Sequence, residues 1–228
     1  MLFSKKLKND YGVNIDEKNV NKLVDFTLLN PTATHKELEK FMCCAYKNKY
    51  YSVCVNPINV DFCKKYIEYR FKGNLKVVAV ISFPLGASAL DTKVFEVKKA
   101  IKDGADEVDV VINLASIKDG DWTSIKYELG RVRKVSRKKI LKVVIETALF
   151  TKTEIEKISL ICAKYKVDYI MTSTGFADGG ATPEIVEIIR NTIKNKCGIK
   201  ASGGVETRAQ AINLIRIGAT RIGTSREI

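Results

Sequence analysis

Short apolar runs rich in β-branched residues recur along the chain: VDFTLL (24–29), YSVCVN (51–56), VVAVIS (77–82), VDVVIN (108–113), LKVVIE (141–146), YIMTS (169–173), GIKAS (198–202) and TRIGTS (220–225). Runs of this length and character read as strands buried on both faces. The stretches between them space their apolar residues for a helix, as in DTKVFEVKKAIKDG (91–104), TKTEIEKISLICAKY (151–165) and TPEIVEIIRNTIKN (182–195). Two of these carry start signals: a capping box from Thr151 to Glu154, and Pro183 at a first helical position after Thr182. About eight strand–helix units in a chain of this size predict a closed (β/α)₈ barrel over an open doubly wound sheet. No proline- or glycine-rich linker divides the chain, so residues 1–228 are expected to form one domain. A G-x-G-x-x-G fingerprint is absent after the first strand, which further disfavours an open nucleotide-binding sheet.

Chemistry in such a barrel sits where strands run into the loops that follow. The strand ends supply Asp25, Thr27, Cys54, Asn56, Ser82, Asp109, Asn113, Lys142, Glu146, Met171, Thr172, Ser173, Lys200, Ser202, Gly223 and Ser225. An interior filled only for packing would be Val, Ile and Leu, because a buried charge costs several kcal/mol unless paired. Asp109, Lys142, Glu146 and Lys200 together therefore suggest a site. Lys142 and Glu146 share a strand face by period two, and either pair with each other or serve a substrate. Lys200, just before Ala-Ser-Gly-Gly, reads as a pKa-shifted amine or a phosphate partner. Three glycine-containing triplets follow the last three strands: 173–175, 202–204 and 223–225. They predict a phosphate cradle made of backbone N–H groups from Gly175, Gly203, Gly204, Gly223 and Ser225.

Composition narrows the classes. The 228 residues are 46% hydrophobic and 29% charged, enough for one substantial core. No stretch of about 18 uninterrupted apolar residues occurs and the first residues lack a signal-like run, so a cytoplasmic protein away from membranes is expected. The six cysteines show neither a paired CxxC spacing nor a disulfide framework, and Cys54 reads as core, with no histidine at hand to activate it. The single histidine, His35, falls where a helix should begin and reads as a surface residue; one histidine leaves no histidine triad and no multi-histidine metal site. The net charge of +13 is compatible with nucleic acid, an acidic membrane or a phosphorylated substrate. RVRKVSRKK (131–139) is the densest basic run and has no interleaved aromatics for base stacking, so it reads as a solvated helix end and no nucleic-acid partner is expected.

The motifs DFTLLNPTAT, SVCVNP, VISFPLGA, EVDVVIN, LKVVIETALFT, TSTGFADGGAT, IKASGGVETRAQA and GATRIGTS resemble, in order and along nearly the whole chain, those of the deoxyribose-phosphate aldolase family. The resemblance implies a (β/α)₈ barrel and reversible aldol cleavage of 2-deoxyribose 5-phosphate to glyceraldehyde 3-phosphate and acetaldehyde, through a lysine imine and without a metal or other cofactor. It also implies a dimer or higher homo-oligomer and a small phosphorylated sugar or aldehyde as ligand. In the family the residue directly before TSTGF is the imine lysine; here it is Met171, and a thioether forms no imine. Other matched positions are kept: Lys200 as the neighbouring amine, Asp109 as the acid/base partner and Lys142 as a further site charge, with Asp25, Thr27, Cys54 and Thr172 beside the substrate.

Further departures are Phe26 for a histidine, Asn30 for a lysine, Ser82 for a glycine and Glu206 for an arginine near the phosphate. Three readings follow. The chain is a family aldolase impaired at Met171; or it runs different chemistry, with an imine at Lys200 or Lys142 or acid/base work by Asp109; or it binds phosphorylated metabolites without turnover.

Overall fold

The computed structural model describes residues 17–228, together with a short antiparallel pairing of Leu7–Lys8 with Asn14–Ile15. Eight parallel strands close into a barrel: β1 (Val24–Leu28), β2 (Ser52–Val55), β3 (Lys76–Ile81), β4 (Glu107–Val111), β5 (Ile140–Val144), β6 (Tyr169–Met171), β7 (Gly198–Ser202) and β8 (Arg221–Thr224). Each strand pairs with its sequence neighbour, and β8 returns to β1 with Ile222 opposite Val24. The predicted single (β/α)₈ barrel is the fold observed.

The period of two along each strand sorts its side chains into two environments. Val24, Phe26, Val53, Val77, Ala79, Val108, Val110, Leu141, Val143, Ile170, Ile199, Ala201 and Ile222 belong to one shell-shaped core with the helices. The alternate residues face the barrel interior, where only two small apolar clusters form, around Cys54, Val78 and Val80 and around Val111, Val144 and Met171. The rest of the interior is polar, with a buried set of charges at its centre.

The helices that cover the barrel are α1 (His35–Lys47), α2 (Val60–Phe71), α3 (Leu90–Lys102), α4 (Leu114–Lys118), α5 (Trp122–Ser136), α6 (Lys152–Lys164), α7 (Pro183–Ile193) and α8 (Arg208–Ile217). Helix α7 shows why they pack: Val186, Ile189, Arg190 and Ile193 are its buried residues, spaced i, i+3, i+4 and i+7. Both expected start signals are present. Thr151 and Glu154 form a reciprocal capping box on α6, and the Thr182 hydroxyl accepts from the Ile185 N–H with Pro183 in the first turn.

The strands end earlier than the apolar runs do. Strand β5 stops at Val144, and Glu146 turns into the left-handed region at φ 44°. Glu146 therefore leaves the face that carries Lys142, and the ion pair expected between them does not form. Strand β6 stops at Met171, which puts Thr172 and Ser173 in the loop.

Candidate active site

Three carboxylates and three cations fill the barrel's interior. Lys200 Nζ lies 2.6 Å from Asp109 Oδ2 and 2.8 Å from Asp25 Oδ2. Lys142 Nζ lies 2.6 Å from Glu107 Oε2, 2.7 Å from Asp109 Oδ1 and 3.3 Å from Asp25 Oδ2. Arg221 Nη1 closes the set on Asp25 at 2.7 Å and on Glu107 at 3.0 Å. Neutral donors complete it, with Ser52 Oγ donating to Asp25 at 2.6 Å and the Tyr51 hydroxyl to Glu107 at 2.9 Å. The Arg221 guanidinium also stacks 3.7 Å from the Tyr51 ring centre. All six charged side chains are buried. With Asp25, Glu107 and Asp109 set against Lys142, Lys200 and Arg221, the group is balanced in charge, and removing any one partner would strand a buried charge at a cost of about 3–5 kcal/mol.

This balance fixes the protonation states. Burial pushes the Asp25 carboxyl up, but Lys142, Lys200 and Arg221 outweigh it and hold the group well below the usual carboxylate range. Burial pulls both lysines down, and Asp109 and Asp25 outweigh that, so Lys142 and Lys200 are raised. Lys200 is thus a paired ammonium and not the easily deprotonated amine that its place before a glycine turn suggested. The Cys54 thiol, 3.9 Å from Asp109 Oδ2, is pushed up to about 12 chiefly by burial, as befits a core thiol.

Met171 lies between Val144 and Lys200 in the strand register and is 3% exposed. Its side chain joins Val111 and Val144, with Phe83 and Leu114 packed against them. The position before TSTGF is therefore apolar in its surroundings as well as in its side chain.

Beside this interior lies a cavity of about 630 Å³. One wall is Thr27 and Leu28 at the end of β1 with Leu29, Asn30 and Pro31 after it; the other walls are residues 174–176 with Gly179, residues 202–206 and residues 223–225. All five residues expected to form a cradle, Gly175, Gly203, Gly204, Gly223 and Ser225, line it, and among the described residues no lysine does. Two of these glycines are required by close approach. A Cβ on Gly223 would lie 2.8 Å from Lys200 Cε, and one on Gly203 would meet Gly180 Cα and Ser173 Cβ at 3.1 Å. Gly223 thus joins the cavity to the charged interior. Lys200 itself is sealed beneath and does not line the cavity, so its expected place as a direct phosphate partner is not the one observed.

Several expected positions lie elsewhere. The Thr172 hydroxyl is spent between β6 and β7, donating to Ser202 O at 2.8 Å and accepting from the Ser202 N–H at 3.0 Å. Phe26 points out of the barrel, stacks on Phe41 and meets Tyr50 at a tilt, so its departure from the family motif changes packing under α1 and not the cavity. Ser82 takes φ 52°, a conformation suited to glycine, and its hydroxyl bonds Ser88. Asn30 and Glu206 do line the cavity. His35 is exposed at the start of α1 and stacks on Phe62. Within the basic run, Arg133 binds Asp168 and three backbone carbonyls, and Arg131 binds Asp91, as expected of a helix end.

Two charged members of the interior, Glu107 and Arg221, were not among the expected site residues. Both begin their strands, away from the loop end where chemistry was sought. The signal was present: Glu107 and Asp109 sit two apart, on one face of an otherwise apolar strand.

The profile of the DeoC/LacD family aldolases matches residues 13–224. A deoxyribose-phosphate aldolase of Thermococcus gammatolerans is 43% identical over 208 residues, covering 90% of this chain and 92% of its own. One from Clostridium perfringens is 43% identical over 216 residues, covering 94% and 95%. Among solved structures, the aldolase QR15 superposes with a TM-score of 0.87 at 37% identity over 91% of each chain. A deoxyribose phosphate aldolase from Aeropyrum pernix, described as a unique tetramer, reaches 0.82 at 26% identity over 92% of this chain and 88% of its own. With a barrel of the expected topology, a glycine-lined cavity beside a charged interior and these matches over nine-tenths of its length, the chain belongs to the DeoC/LacD family of aldolases.

Proposed function

We propose that the chain binds a small phosphorylated sugar or aldehyde in the 630 Å³ cavity, with aldol cleavage of 2-deoxyribose 5-phosphate severely reduced. The relatives' names supply the substrate class. What carries the reading is a cavity walled by three glycine-containing segments and the end of β1 with the residues after it, with no lysine among the described residues that line it. Backbone N–H groups of Gly175, Gly203, Gly204, Gly223 and Ser225 are the donors proposed for the phosphate. Thr27 is the hydroxyl proposed beside the sugar, above Asp25 and Cys54.

Imine formation needs a neutral amine to attack the carbonyl carbon. Met171 offers none. Lys200 and Lys142 would each have to give up a proton that two or three carboxylates hold, which weighs against an imine relocated to either. Asp109, placed between the two ammonium groups, is the residue proposed for acid/base work in the family mechanism. Binding without turnover is the second reading, favoured by the apolar packing of Met171. A homo-oligomer is proposed from the tetrameric Aeropyrum pernix relative, and a non-membrane protein from the finding that no helix among the described residues is long and apolar enough to cross a membrane.

Calorimetric titration with 2-deoxyribose 5-phosphate and with 2-deoxyribose, beside a coupled assay of aldehyde release, tests both halves. A clear preference for the phosphorylated sugar is expected, with turnover far below the usual enzyme scale of about 1 to 10³ per second. Equal affinities would count against the cradle, and turnover on that scale against the loss of catalysis.

A further inference from the structure

Glu146 stands outside the charged interior and is 2% exposed. Its backbone is left-handed at φ 44°, ψ 65°, a region an L side chain keeps only where its surroundings hold it there. Oε2 accepts from the Thr174 N–H at 3.1 Å and from the Thr174 hydroxyl at 2.5 Å. Oε1 is buried with no hydrogen-bond partner. The next two residues hold the same loop. The Thr147 N–H donates to Thr172 O at 2.9 Å, the Thr147 and Ser173 hydroxyls are 3.3 Å apart, and a Cβ on Gly179 would lie 2.7 Å from Ala148 Cβ. The turn after β5 is therefore fastened along the loop after β6.

That loop supplies Thr174, Gly175, Phe176 and Gly179 to the cavity. The Thr174 hydroxyl donates a hydrogen bond to Glu146 and accepts one from the Phe176 N–H at 3.1 Å. Both neighbours of Gly175 are thus tied through one carboxylate, and Gly175 itself sits at φ 84°. A buried carboxylate with one oxygen unmatched costs stability. What it secures here is the fixed direction of the backbone between residues 174 and 176.

We propose that Glu146 is a positioning residue for the cavity's anion-binding wall: through Thr174 it sets the backbone at Gly175 and Phe176, and with it the affinity for a phosphorylated ligand. This rests on the cavity being a phosphate site. Glu146→Gly removes the carboxylate while suiting the left-handed backbone, so the fold is kept. Glu146→Gln keeps an acceptor for the two Thr174 donors, and Thr174→Val removes the hydroxyl.

Binding of 2-deoxyribose 5-phosphate and of 2-deoxyribose is measured by calorimetry, and amide protection by hydrogen exchange. Glu146→Gly and Thr174→Val should each weaken the phosphorylated ligand by about tenfold or more and leave the other sugar unchanged. The double variant should be little worse than either single one, because the residues act as one unit. Exchange at 174–176 should quicken in Glu146→Gly while the barrel strands stay protected. Glu146→Gln should remain within about threefold of the parent. Parent-like phosphate affinity in Glu146→Gly, or a glutamine variant as weak as the glycine one, overturns the proposal. If the parent binds both sugars alike, the phosphate reading of the cavity falls and the affinity part of this proposal with it. Exchange then judges the clamp alone, and unchanged protection at 174–176 in Glu146→Gly overturns that too.

Discussion

On the proposed function, Met171 is the residue on which the chemistry turns, and its neighbours bear on that reading as much as its side chain does. It roofs a charged interior with Val111, Val144, Phe83 and Leu114, one register step from Lys200. A lysine of similar length fits the same space, but its ammonium would be a fourth cation beside three already matched by three carboxylates. Burial and the Lys200 charge would both press the new amine toward its neutral form, the form that attacks a carbonyl. The surroundings that make methionine comfortable would thus make a lysine reactive. By contrast, Lys142 and Lys200 each face carboxylates at 2.6–2.8 Å, which favour the ammonium form over the amine that attacks a carbonyl.

At the scale of elements, the helices are set by local signals and the strands by their surroundings. The Thr151 capping box on α6 is local: Thr151 N–H and hydroxyl meet Glu154, and the Glu154 N–H returns to Thr151. Thr151→Ala should lower stability by about 1 kcal/mol, read as a shifted urea midpoint at constant slope. An unchanged midpoint would show that the cap is redundant with tertiary packing. Such signals made α6 and α7 legible to within a residue or two, and the apolar runs made all eight strands legible. Strand ends were not, since burial continues past the last paired residue into the next loop, as Ile145, Thr172 and Ser173 show. For the same reason Lys142 and Glu146 looked like one face. A motif also gives a position but not the side of the strand: residue 26 falls on the helix side.

For the whole molecule, a surface carrying the +13 surplus encloses an interior whose buried charges cancel. Stability conferred by the interior should therefore vary little over most of the pH range. Asp25 is held below its unfolded value, so its contribution is complete above about pH 4 and is lost only as the pH falls toward the folded pKa. Lys142 and Lys200 are raised, so theirs is complete below about pH 10 and is lost only as the pH climbs through the folded values. Urea midpoints should accordingly be nearly level from about pH 5 to 9 and fall in acid. A steep loss between pH 6 and 8 would mean that a member of the set is not ionised as described. Asp25, Asp109, Lys142 and Lys200 were legible because packing alone does not place charge inside an apolar strand. Their mutual pairing was not, because it depends on which strands the barrel brings face to face, across 33 residues of sequence for Lys142 and Asp109 and 175 for Lys200 and Asp25.

The central claim is that no amine inside this barrel is free to form an imine while residue 171 is methionine. Borohydride reduction in the presence of acetaldehyde, followed by peptide mapping, tests it on the parent and on Met171→Lys. The parent should carry no adduct on Lys142 or Lys200, and the variant should be labelled at position 171. An adduct on Lys200 or Lys142 of the parent would contradict the account.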